Sequence, residues 1–143
     1  MQRIIGLDIG TKRIGIAVSD PLFLTAQPLT TISRQPEQKS IEEIEKIVSE
    51  YQSTVIIVGL PRNMDGSLGY QAEDVQNYAA LIREKLNIEI IFIDERLTSK
   101  EAERILIEQN KKPSKNKGLI DVASAAIILQ QYLDGRRNPN VRF

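Results

Sequence analysis

Ile4-Ile5-Gly6-Leu7-Asp8-Ile9-Gly10-Thr11-Lys12-Arg13-Ile14-Gly15-Ile16-Ala17-Val18-Ser19 is the stretch whose reading decides the fold. Two apolar, β-branched runs, Ile4 to Ile9 and Ile14 to Ser19, flank Gly10-Thr11-Lys12-Arg13, the pattern of a β-hairpin. Asp8 interrupts the first run. An ionised carboxylate in a sheet core costs several kcal/mol when left alone, so it calls for a cationic partner.

Outward from the hairpin, Asp20-Pro21 breaks the second strand, and a third, weaker strand is expected over Leu29 to Ser33. Arg34-Gln35-Pro36 then leads into a helix with a capping box, Ser40 and Glu43, and with Ile41, Ile44, Ile47, Val48 and Tyr51 at helical spacing. Thr54 to Val58 and Ile88 to Ile93 are short, continuously apolar strands of the kind buried on both faces. Between them Val75, Tyr78, Ala79, Ile82 and Leu86 mark one face of a second helix. Strand, helix, strand at these spacings implies a right-handed parallel crossover. The sequence therefore predicts an α/β fold: a mixed five-stranded sheet, an antiparallel three-strand meander plus two parallel strands, flanked by helices. The first strand is central, beside Thr54 to Val58, with Ile88 to Ile93 next outward. Thr98 and Glu101 form a second capping box for a helix carrying Ala102, Ile105 and Leu106, and Leu119 to Leu133 forms the final helix, stopped by Gly135.

Length and composition narrow the class. The 143 residues suit one domain, 1–143, with a basic tail at 136–143 and neither repeat nor linker. Lysine plus arginine and aspartate plus glutamate balance at 19 each, which argues against broad attraction to polyanions but leaves room for a local basic patch. There is no cysteine and no histidine, so disulfides, thiolate chemistry, a serine or cysteine triad and the usual zinc sites are excluded or nearly so. Asp8, Lys12 and Arg13 interrupt the apolar N-terminus, so a signal peptide or membrane span is not expected and the chain reads as soluble and cytoplasmic.

Two further acids sit where they could meet Asp8. Ligands gather outside the carboxyl ends of parallel strands, which is where Asp8 and Glu95 fall. Asp121, in the first turn of the last helix, shares a face with Ser124, Ala125 and Ile128, and the small residues there, with Ala123 and Ala126, would bring the helix close to the sheet. Each acid alone has an ordinary reading: an Asx turn for Asp8, a solvated pair with Arg96 for Glu95, a helix-start charge for Asp121. Together they point to a hard divalent cation, Mg²⁺ or Mn²⁺, held by oxygen ligands. Asp94 rivals Glu95, because a slip of one residue swaps the sheet face. One or two such ions would activate water and stabilise a leaving oxygen, which makes phosphodiester hydrolysis the natural chemistry.

The same residues carry a family likeness. Gly6-Leu7-Asp8-Ile9-Gly10-Thr11, Val58-Gly59-Leu60-Pro61 with Asp65-Gly66-Ser67, Asp94-Glu95-Arg96-Leu97-Thr98-Ser99 and Ile120-Asp121-Val122-Ala123-Ser124-Ala125-Ala126 resemble the YqgF family in order and spacing over nearly the whole chain. The resemblance implies a ribonuclease H-like fold and a metal-dependent nuclease associated with maturation of the 5′ end of pre-16S ribosomal RNA, a family formerly labelled Holliday-junction resolvase-like. Its acidic positions correspond to Asp8, Glu95 and Asp121, as catalytic residues and metal ligands. Classical junction resolvases place an acid at the end of the first parallel strand, where this chain has Gly59-Leu60-Pro61, so the acid here must come from the next strand.

Nucleic acid is the expected partner, structured RNA or branched DNA. Thr11, Lys12, Arg13, Arg62, Arg96 and Lys100 fall near the acidic end of such a sheet, and Lys111, Lys112, Lys115 and Lys117 form a basic loop; contacts of this sort hold phosphates and select structure rather than sequence. With 5% aromatic residues, a single-strand stacking platform is not expected. Three rivals stand beside the rRNA nuclease: a resolvase of branched DNA, a non-catalytic RNA-binding ribosome-assembly module, and a kinase-like ATPase suggested by Asp8-Ile9-Gly10-Thr11. The last needs two lobes, and this chain has room for one. Monomer and homodimer are both compatible with the sequence.

Overall fold

The computed structural model describes residues 2–63, 65–94 and 117–136, with the backbone alone at 117–119. Glu95, Arg96, Lys100, the helix expected after Thr98, Lys111, Lys112, Lys115 and the tail beyond 136 lie outside these residues, as does the side chain of Lys117. In chain order the elements are β1 (Ile5–Ile9), β2 (Arg13–Ser19), β3 (Ala26–Ser33), α1 (Glu37–Glu50), β4 (Val55–Leu60), α2 (Tyr70–Leu86), β5 (Glu89–Asp94) and α3 (Lys117–Arg136).

The five strands form one sheet in the order β3-β2-β1-β4-β5. β1, β2 and β3 pair antiparallel, whereas β4 runs parallel to β1 and β5 parallel to β4. This is the expected mixed sheet with β1 in the middle. Alternation along β1 divides two cores. Ile5, Leu7 and Ile9 pack with Ile41, Ile44, Val75, Tyr78 and Ile82 of α1 and α2. On the opposite face Ile4, Ala17, Ile57 and Ile93 pack against Ala125, Ile128, Leu129 and Leu133 of α3.

Two glycines set how closely α3 lies on the sheet. A Cβ at Gly6 would sit 2.8 Å from the Leu129 Cβ, and one at Gly15 would sit 2.0 Å from the Asp121 carbonyl oxygen. The expected close approach is therefore made by missing side chains on β1 and β2 as well as by the small residues of the helix.

Local expectations are corrected at four places. No capping box forms at Ser40 and Glu43: α1 begins earlier, with Pro36 at its N-cap and no side-chain cap bond. Ser40 is instead buried, its hydroxyl on the Glu37 carbonyl and against the Tyr78 hydroxyl, so a polar residue read as a cap is a core contact between helices. β3 starts at Ala26 rather than Leu29 and includes Pro28, tolerated because β3 is an edge strand and itself bulges there, with Leu29 the extra residue opposite Ile16/Ala17. Gly135 does not stop α3, which runs through it to Arg136. That helix also begins at Lys117, so Asp121 stands in its second turn, where a favourable macrodipole contact is largely spent.

Candidate active site

Asp8 is the fourth residue of β1, partly buried, and stands directly across from Gly15 of β2. Residues facing each other in an antiparallel pair project to the same side of the sheet. The Gly15 side is the α3 side, where the backbone of Asp121 lies, and Gly6, two residues before Asp8, likewise faces α3 at Leu129. The fold thus brings Asp8 and Asp121 to one face at the end of β1, although the chain separates them by more than a hundred residues. Gly15 is what lets the backbone of Asp121 lie this close to the strand: any larger residue would hold the helix off it.

Asp94 falls on the other face. Its register partner is Leu60, and Leu60 with Ile90 and Phe92 belongs to the α1/α2 core, while Ile91 and Ile93 belong to the α3 core. Asp94 continues the parity of Ile90 and Phe92. Its carboxylate lies 3.8 Å from the Nε of Arg62. The rivalry between Asp94 and Glu95 is in this way reduced by parity, with Glu95 itself outside the described residues.

Asp121 is not isolated from cations. Arg13 Nε donates to its Oδ2 at 2.8 Å, with side-chain exposures of 37% and 21%. Arg13, Thr11 and Lys12, all expected to meet substrate, occupy the hairpin tip and line with Gly10 and Asp121 a depression of about 320 Å³. A second depression of about 260 Å³ adjoins it across Gly10 and Thr11, and is lined also by Asp8, Pro61, Gln71 and Asp74. Arg62 follows β4 at the same end of the sheet. The structure brings Asp8, Asp121, Thr11, Lys12, Arg13 and Arg62 to one end of the molecule, with Arg13 engaged by an acid rather than by solvent alone.

One cluster here was not found from sequence. Arg34, at the end of β3, is buried, and its two terminal nitrogens hold both oxygens of Asp74 on α2 at 2.7 and 2.9 Å. Arg34 also donates to the Gly10 carbonyl at 3.1 Å and lies over the Tyr78 ring, 4.9 Å from its centroid. The bidentate guanidinium holds the Asp74 carboxyl below its ordinary value, and Asp74 in turn raises Arg34. Burial pushes the Tyr78 hydroxyl up. Arg34 and Asp74 are 40 residues apart, and in sequence each looks like a solvated charge. The spacing of Val75, Tyr78, Ala79, Ile82 and Leu86 marked a buried face of α2 but gave no sign that Asp74 borders it.

Oxygen donors at Asp8 and Asp121, in a sequence that holds no histidine or cysteine, suit a hard divalent cation. Among the described residues no group of three or more acidic, histidine or cysteine side chains forms a cation site, and no helix is long and apolar enough to cross a membrane. The buried hydroxyl of Ser124, one turn along α3 from Asp121, has no hydrogen-bond partner among the described residues.

With this geometry in view, residues 2–135 match the family model described as "RuvX: Holliday junction resolvase". The chain belongs to the RuvX family. Relatives named "putative pre-16S rRNA nuclease" share 52% identity in Clostridium botulinum strain Hall, over 93% of this chain and 97% of that protein. In Trichormus variabilis the identity is 48%, over 93% and 88%. Among solved structures, the Thermus thermophilus RuvC in complex with a Holliday junction substrate superposes with a TM-score of 0.61 at 13% identity, covering 97% of this chain and 98% of that one. The fowlpox virus resolvase with its Holliday junction DNA gives 0.58 at 14% identity, covering 93% and 97%. At such identities the likeness speaks for the fold, and that fold is the ribonuclease H-like one of the resolvases. This RuvX chain is accordingly a member of a nuclease family with the sheet order that its sequence predicts.

Proposed function

We propose that this RuvX protein is a metal-dependent endonuclease that hydrolyses phosphodiester bonds of structured RNA, and that its task is processing of the 5′ end of pre-16S ribosomal RNA. The observation that carries the reading is that Asp8 has the strand parity of Gly15, the residue against which the backbone of Asp121 packs, beside the cationic hairpin tip. The names carried by relatives of about half identity support the RNA substrate.

In this reading Asp8, Asp121 and Glu95 hold Mg²⁺ or Mn²⁺, Glu95 being favoured because Asp94 has the parity of the opposite face. When bound, such ions supply an activated water at neutral pH and neutralise charge on the leaving oxygen. The protein's own part is positional. Asp8 is fixed by β1 in the middle of the sheet, and Asp121 is fixed by the contact of α3 with Gly15. Arg13 neutralises Asp121 and exchanges to a substrate phosphate, with Lys12, Thr11, Arg62, Arg96 and Lys100 supplying further backbone contacts. Lys111, Lys112 and Lys115, which lie outside the described residues, and Lys117, the first residue of α3, would add further phosphate contacts. Contacts to phosphates give affinity without reading bases.

Branched DNA is the second reading, favoured by the description of the family and by the likeness to resolvase folds. One experiment addresses both. The purified protein with Mn²⁺ or Mg²⁺ is expected to cleave a structured precursor RNA in preference to a four-way DNA junction. Asp8→Asn is expected to lower the rate at least about 10²-fold with its melting temperature unchanged. Cleavage by Asp8→Asn at the unmutated rate refutes the assignment of Asp8. Tight RNA binding without cleavage by the unmutated chain returns the protein to a non-catalytic assembly module.

A further inference from the structure

The groove at the end of the sheet continues beyond Asp8. A depression of about 190 Å³ is lined by Arg62, Asn63, Gly69 and Tyr70 and shares Pro61 and Gln71 with the one that contains Asp8 and Thr11. The two are parts of a single track. At its far end Tyr70, the first residue of α2, is 84% exposed, and Leu68 beside it is 50% exposed.

A single exposed aromatic side chain is ordinary on a protein surface. Its mounting here is not. The turn before it is closed by Asn63 N–H to the Ser67 carbonyl at 2.9 Å and by Gly66 N–H to the Asn63 carbonyl at 2.8 Å. The Asp65 carboxylate accepts from both the backbone N–H and the hydroxyl of Ser67, at 2.9 and 2.6 Å. Arg62 donates to the Gly66 carbonyl at 3.0 Å, and its Nε lies 3.8 Å from Asp94. Gly69 packs so near the Asn63 amide that an added Cβ would sit 3.1 Å from it. A Tyr ring carried on the first residue of a helix, behind a turn fixed by its own side chains, is anchored at its backbone in a set place beside the groove, so that binding has only the ring's own rotamers to order.

We infer that Tyr70 and Arg62 form a subsite that takes an unpaired nucleotide next to the cleavage position, the ring stacking on the base and the guanidinium meeting a phosphate. Stacking suits an aromatic face that is wet in the free protein, and a cation in the same groove matches the charge of the strand. A fully paired helix keeps its bases stacked within itself and offers nothing to the ring. The subsite would make the enzyme prefer cleavage near a single-stranded segment. One ring differs from an extended stacking platform, for which the chain has too few aromatics.

This inference rests on the nuclease reading for the identity of the strand, and its test does not depend on cleavage. Binding is measured in the Asp8→Asn background to two RNA probes of equal length, a blunt duplex and a duplex with a single-stranded overhang carrying 2-aminopurine. Tyr70→Ala is expected to weaken binding of the overhang probe about tenfold and to abolish quenching of its 2-aminopurine, and to leave the blunt duplex unchanged. Tyr70→Phe is expected to retain both affinity and quenching. Because the side chain is almost wholly exposed, melting temperatures serve as the check that each variant folds. Equal affinity of Tyr70→Ala for both probes relative to its parent, or an equal loss on both, overturns the subsite. Failure of the unmutated protein to cleave any nucleic acid, with the Tyr70 difference intact, sinks the nuclease reading and leaves the subsite standing.

Discussion

Two arginines flank the tip of the β1–β2 hairpin, Arg34 toward α2 and Arg13 toward α3, and they are built in opposite ways. Arg34 has a side chain 8% exposed, grips both oxygens of Asp74 and adds the Gly10 carbonyl as a third partner. Arg13 is 37% exposed and meets Asp121 through a single nitrogen. A buried fork with several acceptors holds one geometry, because losing a single bond strands the charge away from water. An exposed single contact is worth little and exchanges readily with solvent ions. The difference sets a rigid side of the hairpin against an exchangeable one, and it is the exchangeable side that the proposed function takes as its working surface. The Arg34 side fixes the turn that follows Asp8, and the Arg13 side balances the charge of Asp121 while leaving it open to a competing cation.

The contrast is broken most severely at the strand both sides share. Gly15→Ala would drive a Cβ into the Asp121 carbonyl oxygen, to within 2.0 Å in the present geometry, so α3 must shift. A loss of about 3 kcal/mol in urea unfolding is expected, with cleavage falling further than stability because Asp121 moves with the helix. Wild-type stability in this variant would show that α3 tolerates displacement.

Arg34→Met comes next. Removing a buried partner of Asp74 and Gly10 should cost about 2 kcal/mol, less than for a wholly buried pair because the Asp74 side chain is 36% exposed to screening solvent. Its pH signature is more telling than its size. Arg34 lowers the Asp74 carboxyl in the folded state, so the pair contributes its full stability above the ordinary carboxylate value of about 4. That contribution disappears as pH falls through the lowered folded value. Arg34→Met should therefore lose less stability than the unmutated chain between about pH 5 and pH 2, measured by urea midpoints. Parallel pH curves would remove Asp74 from the account.

The smallest effect sharpens the other side. Arg13→Gln is expected to change stability by no more than about 1 kcal/mol, and to flatten the logarithmic salt dependence of nucleic-acid binding by about one unit. An unchanged salt slope would confine Arg13 to its ion pair with Asp121.

Much of the fold was legible because it depends on local pattern. The apolar runs around Gly10-Thr11-Lys12 could form little else than a hairpin, and the short apolar strands later in the chain required a parallel crossover. Errors arose where one residue type serves two ends. Ser40 looks like a cap beside Glu43, yet its hydroxyl is used inside the core at Tyr78. Gly135 looks like a helix stop, yet it is buried in the last turn of α3, which continues past it. For the site, the acids could be nominated, but Arg34 with Asp74 and the exposed Tyr70 could not, since a charge or a ring carries no mark of the neighbour it will meet.

The sequence by itself determined the alternation of the strands, the order in which they could pair, and a set of acids with no histidine or cysteine to compete for a cation. Only the tertiary structure decided that Asp94 shares the parity of the α1/α2 face, that Gly15 admits the backbone of Asp121, and that Arg13 closes an ion pair across 108 residues of chain. Periodicity is written into neighbouring residues and survives in a one-dimensional reading. Contacts between distant groups depend on the twist of the sheet and the closeness of a helix laid over it, and these are fixed only when the whole chain packs.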